Sequence, residues 1–543
     1  MAETKEWTVM FYFAGDNPLA ALMVSLLKDI KNAGFHEDVN VIAQFDPNAL
    51  GVPSKTFDIN GIRKFVHQQK RHTATAEAPA AASVIGNGDQ PDVHIWPVTI
   101  DRLWKDKGLE AQVRDDIMRR HPGFVPPVPD TIDDKASVRE ALDKFLTFCR
   151  AHYPAAHYAL FLVGHGMIVA NDTFMADENP ASFLSLKELG GVLGKFNKAT
   201  GKADDGDSKL EILGFHNCSM SGAEVAYELH GKANYMLGAE GPTFTASWPY
   251  RQILIRLFST LQKNGGADVA ELAKGFFNSC YYNSIDYKLA GLSLDVSLCD
   301  LRHAKIMQAP VRALAGSLSK FLPKHTIVAN LVLLAHWEAQ SYWNEMYTDL
   351  YDFCECLKTR CEKTLENVDD QVKTVLGVLA AQCQEVMNAL ASPDGPLIKR
   401  ALPTGPALQY SRGLSVYFPW SQPLNPLLLN ETYAGYAFAK ETKWGAFLKT
   451  YLTATMRSRR VFQEGGAKIE DIDVAELGAI LSFKSSGMLE GDKTNPQSGH
   501  GGSCTCPSIK NYPVLELTSG NAQDNTGRHL PDQGIPQKEK GIF

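Results

Sequence analysis

Short, almost continuously apolar runs punctuate the first 300 residues and are separated by stretches with helical spacing. Trp7 to Ala14 (WTVMFYFA) closes on Gly15-Asp16-Asn17. Val39 to Phe45 (VNVIAQF), Tyr158 to Val163 (YALFLV), Leu210 to Phe215 (LEILGF) and Asn234 to Gly238 follow. Runs this short, with little polar alternation, predict strands buried on both faces. Between them, Leu19–Asn32, Ala136–His152 and Gly222–Leu229 predict helices. In the second of these, Ser137 and Glu140 match a capping box, and Val138, Leu142, Phe145, Leu146 and Cys149 keep helical intervals. Strands alternating with helices predict an α/β fold, a mostly parallel sheet covered by helices on both faces. Thr56 to Val66 alternates loosely and predicts an added hairpin.

Beyond residue 300 the pattern lengthens. Leu301–Phe321, Val368–Leu390 and Tyr436–Thr453 carry helical periodicity, and Gly413–Phe418 (GLSVYF) is a late strand. The chain thus divides into an α/β unit at 1–300 and a mainly helical C-terminal module at 301–480. Residues 73–91, rich in Ala with Gly and Pro, read as a surface insertion. The last 60 residues, 484–543, hold nine Gly and five Pro, with Tyr512 and Phe543 as their aromatics. So few large apolar groups cannot offset chain entropy, and this tail is expected to be disordered.

Charge narrows the partners. With 54 basic and 61 acidic residues the formal net charge is −7, which provides no electrostatic footing for nucleic acid or an anionic membrane. No run of eighteen apolar residues is present, so no membrane span is expected. The ten cysteines are irregularly spaced and mostly lie in apolar stretches, and Met1–Glu6 leaves no room for a signal peptide before Trp7. A reduced, cytoplasmic protein is the simplest expectation. Oligomeric state is not legible.

Two places stand out chemically. The run Tyr158–Val163 ends in Gly164-His165-Gly166, and the run Leu210–Phe215 leads through His216-Asn217 into Cys218 at a helix start. In open α/β sheets, function collects at the carboxyl edge of the strands, where both His165 and Cys218 fall. If the strands are neighbours, imidazole meets thiol, a pairing that favours thiolate. Gly166 lets a substrate approach the backbone. The plain alternative is a loop histidine and a core thiol.

The motifs and their order decide between these. Trp7 to Asn17, His152-Tyr-Pro-Ala-Ala-His-Tyr-Ala-Leu ahead of His165-Gly166, and Gly214-Phe-His-Asn-Cys218-Ser-Met220 with Glu224-Val-Ala-Tyr-Glu228-Leu are similar to motifs of the clostripain-like (C11) cysteine peptidases of the caspase-like clan. Ala246-Ser-Trp248-Pro249-Tyr250, Asp349-Leu-Tyr-Asp-Phe353 and Gly413-Leu-Ser-Val-Tyr417-Phe-Pro419 extend the resemblance, colinear from about 7 to 453. It implies a caspase-like fold and a cysteine endopeptidase acting on protein or peptide substrates. Cys218 would be the nucleophile and His165 the acid–base, with the N–H groups of Gly166 and Cys218 holding the oxyanion. No cofactor is required by this chemistry, although some relatives need calcium.

One departure matters. The family usually has an aspartate two residues before the cysteine, associated with a basic side chain at the cleavage point; here that position is His216. Asp16 and Glu240 are the acidic candidates left to pair with Arg or Lys. Otherwise Asp16 closes a turn and Glu240 is solvated. Trp248 and Tyr250 either line the cleft or pack the core. The resemblance also implies self-cleavage between the histidine and cysteine motifs, where Lys195–Lys209 reads as a polar loop bearing Lys195, Lys198, Lys202 and Lys209. Asp204-Asp205-Gly206-Asp207 within it is a weak calcium candidate without EF-hand spacing. Cys354, Cys356, Cys361 and Cys383, and His500 with Cys504 and Cys506, lack zinc-site spacing. Competing readings are a regulatory, protein-binding module on the same fold and a nucleotide-binding enzyme; the latter lacks a G-x-G-x-x-G or P-loop motif.

Overall fold

The computed structural model describes residues 4–17, 19–46, 55–59 and 119. It also describes 136–457 apart from 167–168, 170–171, 179–180, 202–207, 209, 265–267, 290, 343–345, 392–395 and 421–427. The insertion at 73–91 and the tail at 484–543 lie outside these residues.

The apolar runs are strands. In chain order, β1 (Lys5–Phe13), α1 (Ala20–Lys31), β2 (Val39–Phe45) and β3 (Lys55–Asp58) are followed by α2 (Val138–His152) and β4 (Ala155–Val163). A small hairpin, β5 (Phe174–Glu178) and β6 (Ala181–Leu184), precedes α3 (Leu186–Ala199), β7 (Leu210–His216), α4 (Ala223–Glu228) and β8 (Tyr235–Gly238). Ser137 and Glu140 do close a capping box at the start of α2, and Ser185 with Glu188 forms a second at the start of α3. Such caps contribute about 1 kcal/mol each. The helix α3 takes in Lys195 and Lys198, so the polar loop read at 195–209 is shorter than its composition implied. Lys195 is paired with Asp143 on α2 at 2.5 Å.

Then come α5 (Tyr250–Asn264), α6 (Val269–Leu289), β9 (Leu294–Asp300), α7 (Gln308–Phe321) and α8 (Thr326–Glu338). The chain continues through β10 (Ser341–Tyr342), β11 (Tyr347–Asp349), α9 (Leu350–Thr364), α10 (Asp370–Leu390), β12 (Ile398–Thr404) and β13 (Ser415–Tyr417). It ends in α11 (Ala437–Glu441) and α12 (Trp444–Arg457). These last two replace the single helix expected over 436–453, because Lys443 adopts a left-handed φ of 61° between them.

The main sheet has eight strands in the order β12-β9-β8-β7-β4-β1-β2-β3. The five from β8 to β2 are parallel, and β9, β12 and β3 pair antiparallel at the two sides. This is the mostly parallel sheet, flanked by helices, of an α/β fold. Alternation along each strand splits the core. Trp7, Val9, Phe11 and Phe13 face α1, α5 and α6, while Met10 and Tyr12 face α2 and α3. The second core does not stop at residue 300. It runs unbroken from Met10 through the helices α7–α10 to Leu452, and β12 joins the sheet beside β9. The helical half thus shares its core and one strand with the α/β unit. Its amphipathic helices pack on one another and, in the same core, on the sheet face and α4. No described helix is long and apolar enough to cross a membrane.

Candidate active site

The site is built by strand register. β4 and β7 are parallel neighbours, with Val163 opposite His216. Two residues further along each strand are His165 and Cys218, so the two emerge level at the carboxyl edge. Their backbones touch: a Cβ placed on Gly166 would lie 2.6 Å from Cys218 Cβ and 2.8 Å from its carbonyl carbon. Only glycine fits there. The two ends are tied by Asn217, whose Nδ2 donates to the His165 carbonyl at 3.1 Å; Met175 N–H donates to the same oxygen at 3.2 Å. Ser219, just after the cysteine, is held at φ 57°, a left-handed conformation costly for a residue with a side chain. This strained turn lifts Cys218 off the end of β7 ahead of α4.

A segment after β8 closes over the thiol. Ala239 and Gly241 carbonyls accept from Ser221 and Ser219 N–H, at 2.8 and 3.1 Å. Thr243 N–H then donates to Cys218 Sγ at 3.3 Å, and Thr243 Oγ1 donates to the Asn217 carbonyl at 3.4 Å. The same sulfur lies 3.7 Å from the Thr243 carbonyl, so the Thr243 backbone brackets it. Asn217 and Thr243 were not among the expected residues. Asn217 adjoins the cysteine, but nothing local says that its amide reaches β4. Thr243 is 25 residues away in the chain.

Chemically, the arrangement presents a thiol with an N–H donor at its sulfur, an imidazole on the adjacent strand end and a glycine backbone against both. The clostripain family model matches residues 11–451, most of the chain and all of these elements. The chain belongs to the clostripain family. It is accordingly a cysteine peptidase, with protein or peptide substrates. No curated protein sequence matches it. Among solved structures, it is similar to a secreted C11 cysteine protease from Bacteroides thetaiotaomicron in complex with an irreversible peptide inhibitor. That match has 14% identity and a TM-score of 0.45, covering 81% of this chain and 99% of that one. An inactive zymogen C11 protease from Parabacteroides distasonis matches with 17% identity and a TM-score of 0.42, over 81% and 99%.

Within this clostripain-family site, His216 is not a charged stand-in for the family's aspartate. Its Nε2 lies 2.9 Å from the Phe244 carbonyl, which can only accept, so Nε2 carries the proton. Nδ1 then accepts from the Tyr250 hydroxyl at 2.8 Å. Trp248 stacks on the ring, with centroids 5.2 Å apart and planes 13° apart. Burial holds the imidazole neutral, lowering its pKa to about 4 against a smaller opposing effect of the Phe244 hydrogen bond. The sign follows from the lowered value. The unfolded chain binds the His216 proton from about pH 6.5 downward and the folded one only near 4, so acidification over that window removes roughly 3 kcal/mol of stability. The melting temperature of the His216→Gln protein is expected to fall less than that of wild type between pH 6.5 and 4. Parallel curves would assign the acid limb elsewhere.

The remaining expected residues fall in three different settings. Asp16 is buried at the carboxyl end of β1, where Ala14 N–H bonds to the Val163 carbonyl, on the strand next to that of His165. Asn17 takes part in closing the turn there: its Oδ1 accepts from Leu19 N–H at 3.0 Å. Trp248 is a core residue, 4% exposed and set edge-on to Phe161. Tyr250 is buried beside it. Glu240 is neither solvated nor open to a substrate. It is fully buried, with Oε2 accepting from Gly413 N–H at 2.7 Å, so as a surface that binds basic side chains it is corrected. The glutamates of the cysteine motif are structural as well. Glu224 accepts from Tyr417 N–H and Tyr433 Oη, at 3.0 and 2.7 Å, and Glu228 accepts from Ala437 N–H. They fasten α4 to β13 and α11. Among the described residues no cluster of three or more His, Cys, Asp or Glu is placed to hold a metal ion, and Asp204–Asp207 lies outside them.

Proposed function

We propose that the protein is a cysteine endopeptidase working through a Cys218–His165 dyad. The observation that carries this reading is the Val163–His216 register, which sets the two residues level on adjacent strand ends. Cys218 Sγ, as thiolate under the Thr243 N–H, attacks the scissile carbonyl. His165 takes the thiol proton and delivers it to the leaving amine. The N–H groups of Gly166 and Cys218 receive the oxyanion, an interaction whose loss typically costs about 10²–10³ in rate. Water activated by His165 then hydrolyses the thioester and restores the thiol.

The reading includes cleavage after Arg or Lys, and it now rests on Asp16. His216 is neutral with both nitrogens engaged, and Glu240 is committed to the Gly413 backbone. A fluorogenic peptide library is expected to show Arg- or Lys-directed cleavage by wild type, and Asp16→Asn is expected to lower kcat/KM for those substrates by at least tenfold. A flat wild-type profile removes the basic preference and leaves the dyad standing.

Self-cleavage is assigned to the connection between α3 and β7. With Lys195 and Lys198 inside α3, Lys202 and Lys209 are the remaining basic positions. Two fragments joining there are expected from wild type on a denaturing gel, and one intact chain from the Cys218→Ala protein.

A further inference from the structure

Three segments that the sequence singled out but catalysis does not use converge at one buried point: Glu240 after β8, Asp349 at the start of α9, and Gly413 before β13. Glu240 Oε2 accepts from Gly413 N–H at 2.7 Å, and Asp349 Oδ2 accepts from the neighbouring Arg412 N–H at 2.5 Å. Asp349 Oδ1 caps α9 through Asp352 N–H at 2.8 Å. The other Glu240 oxygen, Oε1, meets no N–H or O–H donor among the described residues, and the Glu240 and Asp349 carboxyls lie within hydrogen-bonding reach of each other. Both side chains are wholly buried. Two carboxylates that can only accept would repel here, so one must carry the proton that joins them.

The pair sits one step from the nucleophile. Asp295 accepts from the N–H groups of Glu240 and Gly241, at 2.6 and 3.0 Å. The Gly241 carbonyl then holds Ser219 N–H, and Thr243 N–H reaches Cys218 Sγ. We propose that Glu240 is a positioning residue: by sharing one proton with Asp349 it anchors the 239–243 segment, and through that segment sets the Thr243 N–H on Cys218 Sγ. The role rests on the peptidase reading for its consequence, though not for its geometry.

The groups facing the pair are Asp295 from β9, Tyr342 from β10, Asp352 from α9, and the Arg412 and Gly413 backbone. Arg412 directs its guanidinium to Glu355, 3.6 Å away, so it is engaged at the surface. Burial, with Asp349 and Asp295 nearby, raises the Glu240 pKa well above the ordinary carboxyl range, and burial raises Asp349 to about 7. Both pKa values are raised, so the stabilisation is complete below the unfolded values near 4. It is lost as pH rises through the folded ones.

The test uses the full chain in two backgrounds. In the inactive Cys218→Ala protein, Glu240→Gln replaces the shared proton with an amide that cannot titrate. Its melting temperature is expected to gain on that of the Glu240 parent as pH rises from 5 to 9. A difference that does not change with pH overturns the shared proton. In the active background, Glu240→Ala is expected to slow both kcat and iodoacetamide alkylation of Cys218 at least tenfold with KM within threefold, and Glu240→Gln to recover most of that loss at pH 6. Unchanged alkylation in Glu240→Ala overturns the positioning role. Because melting and alkylation need no peptide turnover, they decide this proposal even if the dyad reading fails. If Glu240→Ala does not fold, the Gln melting series still decides it.

Discussion

Replacing Cys218 with alanine is expected to reduce kcat/KM for peptide substrates by on the order of 10⁴–10⁶, with the fold intact. The size follows from the division of labour at the strand ends. Without sulfur there is no covalent intermediate. What remains is the backbone N–H groups of Gly166 and residue 218, which can bind a carbonyl but cannot attack it. The fold should survive because Sγ contributes little to it. Its contacts with the Thr243 N–H at 3.3 Å and the Thr243 carbonyl at 3.7 Å are both long. The turn around it is held by Asn217, Ser219 and Ser221 instead. A melting temperature close to wild type, together with loss of turnover, is the expected pair of results. Undiminished hydrolysis would sink the assignment of Cys218 as nucleophile.

The second large effect is expected from a single methyl group. In Gly166→Ala the new Cβ would sit 2.6 Å from Cys218 Cβ, 2.8 Å from its carbonyl carbon and closer still to its carbonyl oxygen. Two of these three are backbone atoms, which cannot swing aside as the end of a long side chain can. The ends of β4 and β7 must separate. Separation moves His165 from Cys218 and takes the Gly166 N–H from the proposed oxyanion position, so a fall in kcat/KM of at least about 10²–10³ is expected. Overpacking of this kind also costs about 1–3 kcal/mol in stability. Gly190→Ala provides the contrast. Gly190 lies within α3 with nothing within 4 Å of an added Cβ, so alanine there should stabilise by about 0.5–1 kcal/mol and leave kinetics alone. If Gly166→Ala proves as active as wild type, the close approach of the two strand ends is not needed for catalysis.

Much of the site was legible from the chain alone. The strands at 7–14, 39–45, 158–163 and 210–215 announced themselves because a strand buried on both faces must be apolar at every position. His165 and Cys218 could be placed at one edge because strand ends are visible as the point where such a run stops. Other elements carry weaker marks. The helix α3 is signalled by its Ser185–Glu188 capping box, but its lysines read as loop. The strand β12 alternates with Lys399 and Arg400 at a sheet margin, so its burial pattern is faint.

What the sequence by itself determined is therefore the α/β fold, the order of its motifs, the family and the two residues on which the chemistry is proposed to rest. The fold depends on local periodicity and the placing of the two residues on where two apolar runs stop, whereas the family rests on the resemblance of several motifs in colinear order. Only the tertiary structure decided what His216, Glu240 and Trp248 do, because their partners are distant in the chain. Glu240 meets Gly413 across 173 residues and His216 meets Phe244 across 28. A glutamate in a Gly-Ala-Glu-Gly turn reads as solvated, and nothing near His216 in the chain shows what its ring meets. Packing against β9, β13 and α5 removes both from water, and burial then dictates that the imidazole is neutral and that the carboxyls share a proton. That one core crosses residue 300 was hidden for the same reason: a helix's apolar stripe is written in its sequence, but the surface that covers it is not.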